Sequence, residues 1–221
     1  ARMPWVNSPM AGVTRRPLDR VGSEVARATS VVRYAPGSRF SAHLHAGGEE
    51  FVVLEGVFQD EHGDYPVGSY VRNPPQSSHT PGSEAGCVTL VKLWQFQPED
   101  RTHMRLNINE IAPIPHTKVQ GVSVIPLFTN KHEQVSVINI QPNTHLELIP
   151  EGGAELFVLQ GSVTEQQDTL LQHSWLRAPI GYPLSLKTAE LGAKIWIKTG
   201  HLTDVEQQIQ RVTHSMANAN G

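Results

Sequence analysis

The chain has 221 residues, enough for one large domain or two small ones with a real core. Its 38% hydrophobic and 18% charged content is ordinary for a globular protein and excludes a disordered one. With 18 Lys and Arg against 21 Asp and Glu, the net charge of -3 gives no general attraction to phosphate, so nucleic acid is not an expected partner.

The 18 Gly and 16 Pro suit many short strands joined by tight turns, and the elements read that way in chain order. Val31-Val32, Phe51 to Leu54, Tyr70-Val71 and Val88 to Leu93 are β-branched or aromatic, with Gly or Pro between them. His43 and His45 fall two apart in a further strand, so both imidazoles leave the same face. Ala46-Gly47-Gly48 turns the chain, and Glu49 opens the next strand beside them. Past a hairpin at Asp60 to Asp64, Gly68 and Pro74-Pro75 lead to His79 on a later strand. Phe51-Val52-Val53-Leu54 is apolar on both faces, so one face fills a barrel and the other must pack on a second sheet, a sister repeat or another subunit. The polar, Pro-bearing segment 97–118 reads as a linker.

The pattern then repeats. Gly12-Val13-Thr14 with Pro17-Leu18 returns as Gly121-Val122-Ser123 with Pro126-Leu127, and Glu50 to Gly56 returns as Glu155 to Gly161. Ser69 to Arg72 before Pro74 returns as Ser174 to Arg177 before Pro179, and Gly86 as Gly192, at offsets that drift only between 109 and 105 positions along the repeat. An all-β chain of two tandem barrels is expected: residues 1–96, then 119–200, then a tail over 201–221. In that tail Thr203 and Glu206 have capping-box spacing, and Val205, Ile209, Val212 and Met216 recur at helical spacing, which predicts an amphipathic helix over 204–216.

Three imidazoles and a carboxylate brought to one point suit a divalent metal such as Zn, Fe, Mn, Ni or Co. The spacing Gly37-x5-His43-x-His45-x3-Glu49-x6-Gly56, followed by Gly68-x5-Pro74-x4-His79, matches both motifs of the cupin superfamily, with Gln76 at a turn position where the second motif usually carries Gly. The chain therefore resembles a duplicated cupin of jelly-roll barrels. Gly47-Gly48-Glu49-Glu50, Leu54 to Glu61, Gly63-Asp64-Tyr65 and Asn73-Pro74-Pro75, together with Trp5, Pro36-Gly37 and Gly86-Cys87, resemble the cupin of ChrR-type anti-sigma factors over about residues 5–96. That resemblance implies one divalent metal per chain, usually zinc, on His43, His45, Glu49 and His79, and a regulatory role in the response to oxidants. In that family a separate helical zinc domain ahead of the cupin binds the sigma factor. Few residues precede Gly12 here, so sigma-factor binding by this chain alone is not expected. Similarity to acetylacetone-cleaving dioxygenases implies an alternative, in which the metal polarises a β-dicarbonyl substrate and activates O2. A structural oligomerisation module is the third reading. Expected partners are a small-molecule ligand at the metal and a second copy of the chain, with no membrane.

By the repeat, His43, His45, Glu49 and His79 correspond to Leu148, Pro150, Ala154 and Leu184, so the second barrel is expected to be packed and metal-free. His145, Glu147 and Glu151 repeat the first-motif spacing out of register and are not expected to form a site. Arg72 and Arg177 occupy equivalent positions and suggest a shared structural salt bridge. His62, His103, His116 and His132 are read as non-ligands, and Phe40, Phe51, Tyr70 and Trp94 as packing or pocket walls. Cys87, the lone cysteine, excludes a disulfide framework and is read as a small buried hydrophobe. No apolar run of about 18 residues and no basic-then-apolar leader are present, so a cytoplasmic protein is expected.

Overall fold

The structure is a computed structural model that describes residues 3–23 and 25–219. Among these, one compact unit runs to Asn107 and takes the chain back from Glu206, while the other spans Ile108–Val205.

The first unit carries β1 (Val6–Asn7), β2 (Val13–Gly22), β3 (Ala26–Tyr34), β4 (Ser38–Arg39), β5 (His43–His45) and β6 (Glu49–Asp60). It continues with β7 (Gly63–Pro66), β8 (Ser69–Asn73), β9 (Ser77–His79), β10 (Gly82–Ser83), β11 (Cys87–Leu93) and β12 (Met104–Asn107). The antiparallel order is β1-β2-β3-β11-β6-β10-β4, with β8 between β6 and β12, and β5 paired with β9. The long strand β6 pairs with β11 and β8 through its first half and with β7 and β10 through its second, which curls the sheet into a jelly-roll barrel. An extra residue, Leu54, interrupts the β6–β11 register as a bulge, and a second bulge at Leu18 interrupts β2–β3. Phe51, Val53, Phe58, Tyr65 and Val71 fill the interior beside Cys87, which is buried and carries no disulfide. On the outer side, Trp5 is clamped between the guanidinium groups of Arg16 and Arg33 at 4.3 and 4.0 Å, a paired cation–π contact.

The second unit repeats the design with β13 (Ile114–Pro115), β14 (Val122–Thr129), β15 (Gln134–Ile140), β16 (His145–Leu148) and β17 (Ala154–Glu165), then β18 (Asp168–Leu171), β19 (Trp175–Ala178), β20 (Leu184–Lys187) and β21 (Ala193–Thr199). Its order, β13-β14-β15-β21-β17-β20-β16, matches the first. Even the irregularities recur, since Leu127 and Leu159 bulge where Leu18 and Leu54 do. Gly56 and Gly161 both hold positive φ, and a Cβ on either would lie 2.0 or 2.1 Å from the carbonyl oxygen of Gly86 or Gly192. Glu50 accepts hydrogen bonds from Tyr70 and Arg72 at 2.5 and 3.4 Å, and Glu155 meets Trp175 and Arg177 at 3.3 and 3.6 Å, so the two arginines do share a structural ion pair.

Two local expectations differ from what is seen. The segment 97–118 carries structure of its own: β12 adds to β8 in the first barrel and β13 edges β14 in the second. Strands of four and two residues are too short to show a period against a polar background. In the tail, a 3-10 turn (His201–Asp204) precedes helix α1 (Val205–Ala219), which starts close to the expected position and runs farther. Thr203 is therefore already inside a helical turn, and its hydroxyl donates to the Gly200 carbonyl instead of forming a capping box. The helix packs on the first barrel. Val212 is buried, Gln208 bonds Arg27 and the Gln95 carbonyl, and Arg211 bonds the Phe96 carbonyl. Among the described residues, no helix is long and apolar enough to cross a membrane.

Candidate metal centre

Strands β5 and β9 form a two-stranded ribbon in which His43 lies directly opposite His79 and His45 opposite Ser77. Period two then turns His43, His45 and His79 to one face. The turn Ala46-Gly47-Gly48 returns the chain to Glu49 at the head of β6. Its glycines are required: a Cβ on Gly47 would sit 2.2 Å from the Trp94 ring, and one on Gly48 2.5 Å from Phe96.

One ligand atom from each of the three histidines lies within 4.8 Å of the others. Glu49 Oε2 is 3.4 Å from His45 Nε2 and 3.5 Å from His79 Nε2. The two Glu49–imidazole gaps match the roughly 3.3–3.5 Å between ligands held at about 2.0–2.1 Å in tetrahedral array, while the three histidine atoms are spread more widely, up to 4.8 Å apart. His45, Glu49 and His79 are buried, and His45 Nε2 has no hydrogen-bond partner among the described residues. A buried imidazole nitrogen left without a partner costs free energy that a metal would recover.

The surroundings orient the set. Asp60 Oδ2 lies 3.2 Å from His79 Nδ1, leaving Nε2 for the centre, and Asp60 Oδ1 accepts from the His62 backbone N–H and the Tyr65 hydroxyl. Asn73 Nδ2 donates to Glu49 Oε2 at 3.2 Å, and His43 Nδ1 faces the Ser41 carbonyl at 3.4 Å. Carboxylates and carbonyls behind ligand imidazoles are the usual support of a metal site. Burial holds His45 below its ordinary pKa despite the charge of Glu49. Burial also opposes protonation of His79, but the Asp60 hydrogen bond and the charges of Glu49 and Asp60 outweigh it and raise its pKa. Burial would raise Asp60, yet hydrogen bonds from His79, His62 and Tyr65 bring it below the usual carboxylate range. The donor set, the orphaned nitrogen and the orienting carboxylate all fit a divalent ion.

The motif spacing names all four residues around this point, but it does not reveal Asp60 or Asn73. Strict alternation from Glu49 along β6 sends Asp60 outward; the bulge at Leu54 resets the parity and turns Phe58 and Asp60 inward. Asn73 is found by register alone, paired with Glu49 across β6 and β8.

The second barrel aligns Leu148 opposite Leu184, in the register of His43 opposite His79. Leu184 and Ala154 belong to its apolar core, with Leu148 packed against them. His145 is exposed, bonds Ser185 and lies 3.7 Å from the exposed Glu147, Glu151 is exposed too, and the three are not a metal-type cluster among the described residues. His62 and His103 are exposed, while His116 and His132 are half-buried and take part in local contacts away from the centre. Tyr70 and Phe51 serve packing, and Trp94 lines the cavity beside the ligands.

Residues 1–97 match the family described as ChrR Cupin-like domain. No curated protein matches the sequence. Among solved structures, a protein from Nostoc punctiforme provisionally assigned as a dioxygenase superposes with a TM-score of 0.69 at 14% identity, over 89% of this chain and 76% of that one. An oxalate decarboxylase of Bacillus subtilis gives 0.62 at 11%, over 90% and 75%. The Escherichia coli pirin in complex with nickel(II) gives 0.63 at 13%, over 89% and 94%. At these identities the likeness speaks for the fold. Residues 1–97 thus resemble a ChrR cupin-like domain, and the cupin fold runs along the chain in two barrels.

Proposed function

We propose that the first barrel binds one divalent metal ion, zinc, through His43, His45, Glu49 and His79, and that the chain is a ChrR-like bicupin with a regulatory or stress-sensing role linked to ECF sigma-factor signalling. The observation that carries the metal reading is the meeting of three imidazoles and a carboxylate at one point, with His45 Nε2 buried there and making no hydrogen bond among the described residues. The regulatory role rests on the ChrR cupin-like match over residues 1–97. Four protein ligands of mixed N and O type can close a zinc site, which suits a structural or responsive centre.

A second reading is favoured by one feature. A cavity of about 430 Å³ opens onto His43, His45 and Glu49, which would admit a small molecule to the ion. This supports a mononuclear non-haem dioxygenase of the acetylacetone-cleaving type, for which a bound metal would supply Lewis acidity and O2 chemistry.

Elemental analysis of protein purified without added metal separates the two. Stoichiometric zinc without turnover supports the regulatory reading, and iron with O2 uptake on a β-diketone overturns it. The double variant His43→Ala/His79→Ala should lose the metal, and a full complement retained in it would refute the site.

A further inference from the structure

The cavity beside the candidate ligands holds more positive charge than a metal site needs. Arg15 and Arg20 both line it, and among the described residues Glu49 is the one carboxylate that does. The fold aims both arginines inward by a specific device. Along β2, Val13 and Arg15 share a face and lie opposite Tyr34 and Val32 of β3, on the side of the barrel interior. Uninterrupted alternation would turn Arg20 outward with Thr14 and Arg16. The bulge at Leu18 shifts the register, so that Arg20 lies opposite Ala28 on the same face as Arg15. Arg20 is engaged locally, donating to the Ser23 carbonyl. Arg15 is half-buried, and its side chain forms no hydrogen bond or ion pair among the described residues.

The duplication tests whether the barrel requires that arginine. In the second copy, Val124 lies opposite Ile138 as Arg15 lies opposite Val32, and Thr129 lies opposite Gln134 as Arg20 lies opposite Ala28. The Leu127 bulge is retained, so the backbone device is common to both repeats. Only the copy with the histidines has the arginines. The copy whose centre is filled by Leu148, Ala154 and Leu184 carries Val124, packed against its apolar core. The charge therefore accompanies the ligand set and not the strand geometry.

We propose that Arg15 binds the carboxylate of a small organic acid in the first-barrel cavity. A guanidinium fork matches a carboxylate in two parallel hydrogen bonds, and its half-buried position strengthens the pairing. The cavity wall beyond it is apolar, with Val32, Val91, Leu93 and Trp94. That wall suits an acid with a short hydrocarbon body and not inorganic phosphate. The proposal rests on the metal reading only for setting the acid beside a cation; the arginine contact itself needs no metal.

Isovalerate is the probe, with neutral isovaleramide and inorganic phosphate as comparisons, followed by ligand-observed NMR titration on the metal-free and the zinc-loaded full chain. Isovalerate should bind both forms and outcompete isovaleramide and phosphate. Arg15→Gln and Arg15→Val should each weaken it by about tenfold or more. Arg15→Lys, which keeps the charge without the fork, should recover part of the loss. Circular dichroism and zinc content of the variants report folding independently. No binding of isovalerate, equal binding of isovaleramide, displacement by equimolar phosphate, or unchanged affinity in Arg15→Gln each overturns the proposal. If zinc fails to bind while isovalerate still requires Arg15, the metal reading falls and this one stands. Stoichiometric zinc with no Arg15-dependent binding does the reverse.

Discussion

Replacing Asp60 with Asn should weaken zinc binding by about 10–100-fold, or roughly 1.4–2.7 kcal/mol, without unfolding the barrel. The magnitude follows from the two jobs of this carboxylate. Its Oδ2 faces His79 Nδ1 at 3.2 Å, and its Oδ1 accepts from the His62 N–H at 2.8 Å and the Tyr65 hydroxyl at 3.1 Å. An ionised carboxylate accepts on both oxygens, whereas an amide has one acceptor and one donor end. If the Asn oxygen serves His79, its NH2 is pressed against the His62 N–H. If it serves His62, its NH2 faces His79 Nδ1, and the imidazole loses the acceptor that fixes its tautomer. The negative charge behind the ring is lost either way, so the larger part of the range is expected. The measurement is competition against a chromophoric zinc chelator. Asp64→Asn is the control, since Asp64 sits on the same hairpin, exposed, and bonds only Gln59 among the described residues. If Asp60→Asn and Asp64→Asn both bind zinc within about twofold of the parent, His79 is not oriented by Asp60 and the reasoning fails.

Three further outcomes follow from the backbone and the core. Gln76 holds φ 72 and is exposed, so Gln76→Gly should relieve left-handed strain and raise stability by about 0.5–1 kcal/mol in chemical denaturation; an unchanged midpoint would count against this. Gly56→Ala should cost about 2–5 kcal/mol because its Cβ meets the Gly86 carbonyl at 2.0 Å, while Gly37→Ala, with nothing within 4 Å, should cost only about 1–2 from φ alone; equal losses would refute the packing argument. Burial pushes the Cys87 thiol up to about 11, against the Ser83 hydrogen bond, so iodoacetamide should label it slowly in the native chain at pH 8 and readily after unfolding. The sign also fixes a stability trend. The folded chain keeps this proton above the ordinary value of 9.0, so its contribution is intact below pH 9 and erodes as pH rises towards 11. Fast native labelling at pH 8 would show that Cys87 is not sequestered.

The four candidate ligands are legible in the sequence because each sits on a local, periodic piece of chain. His43 and His45 need only the alternation of one strand, and Gly47-Gly48 fixes how Glu49 follows. What the sequence hides lies beyond a bulge. A reader counting by twos from Glu49 places Asp60 outside, and one counting from Val13 places Arg20 outside; Leu54 and Leu18 reverse both. A bulge leaves no composition signal, since a leucine in a strand looks the same whether it pairs or is skipped. The strands within 97–118 and the 3-10 turn before α1 were hidden for a related reason: each is shorter than one clear period of its pattern.

The duplicated chain supplies its own control for separating fold from chemistry. Both copies keep the two leucine bulges, the glycine pair where backbones touch, and the buried Glu–Arg contact beside an aromatic partner. These are what two barrels of one topology need, because each serves register, close approach or a buried charge. His43, His45, Glu49 and His79 are absent from the second copy, and the position of Arg15 is taken by Val124. The second copy closes its centre with Leu146, Ala154, Leu184 and Leu186, all nearly inaccessible. An apolar filling of that kind is a stable way to complete the barrel, since each buried leucine contributes about 1.5–3 kcal/mol. The first copy forgoes that filling and sets polar groups around a cavity. The difference between the copies falls on the residues proposed to hold a metal and an anionic ligand, and the features they share are those of the fold.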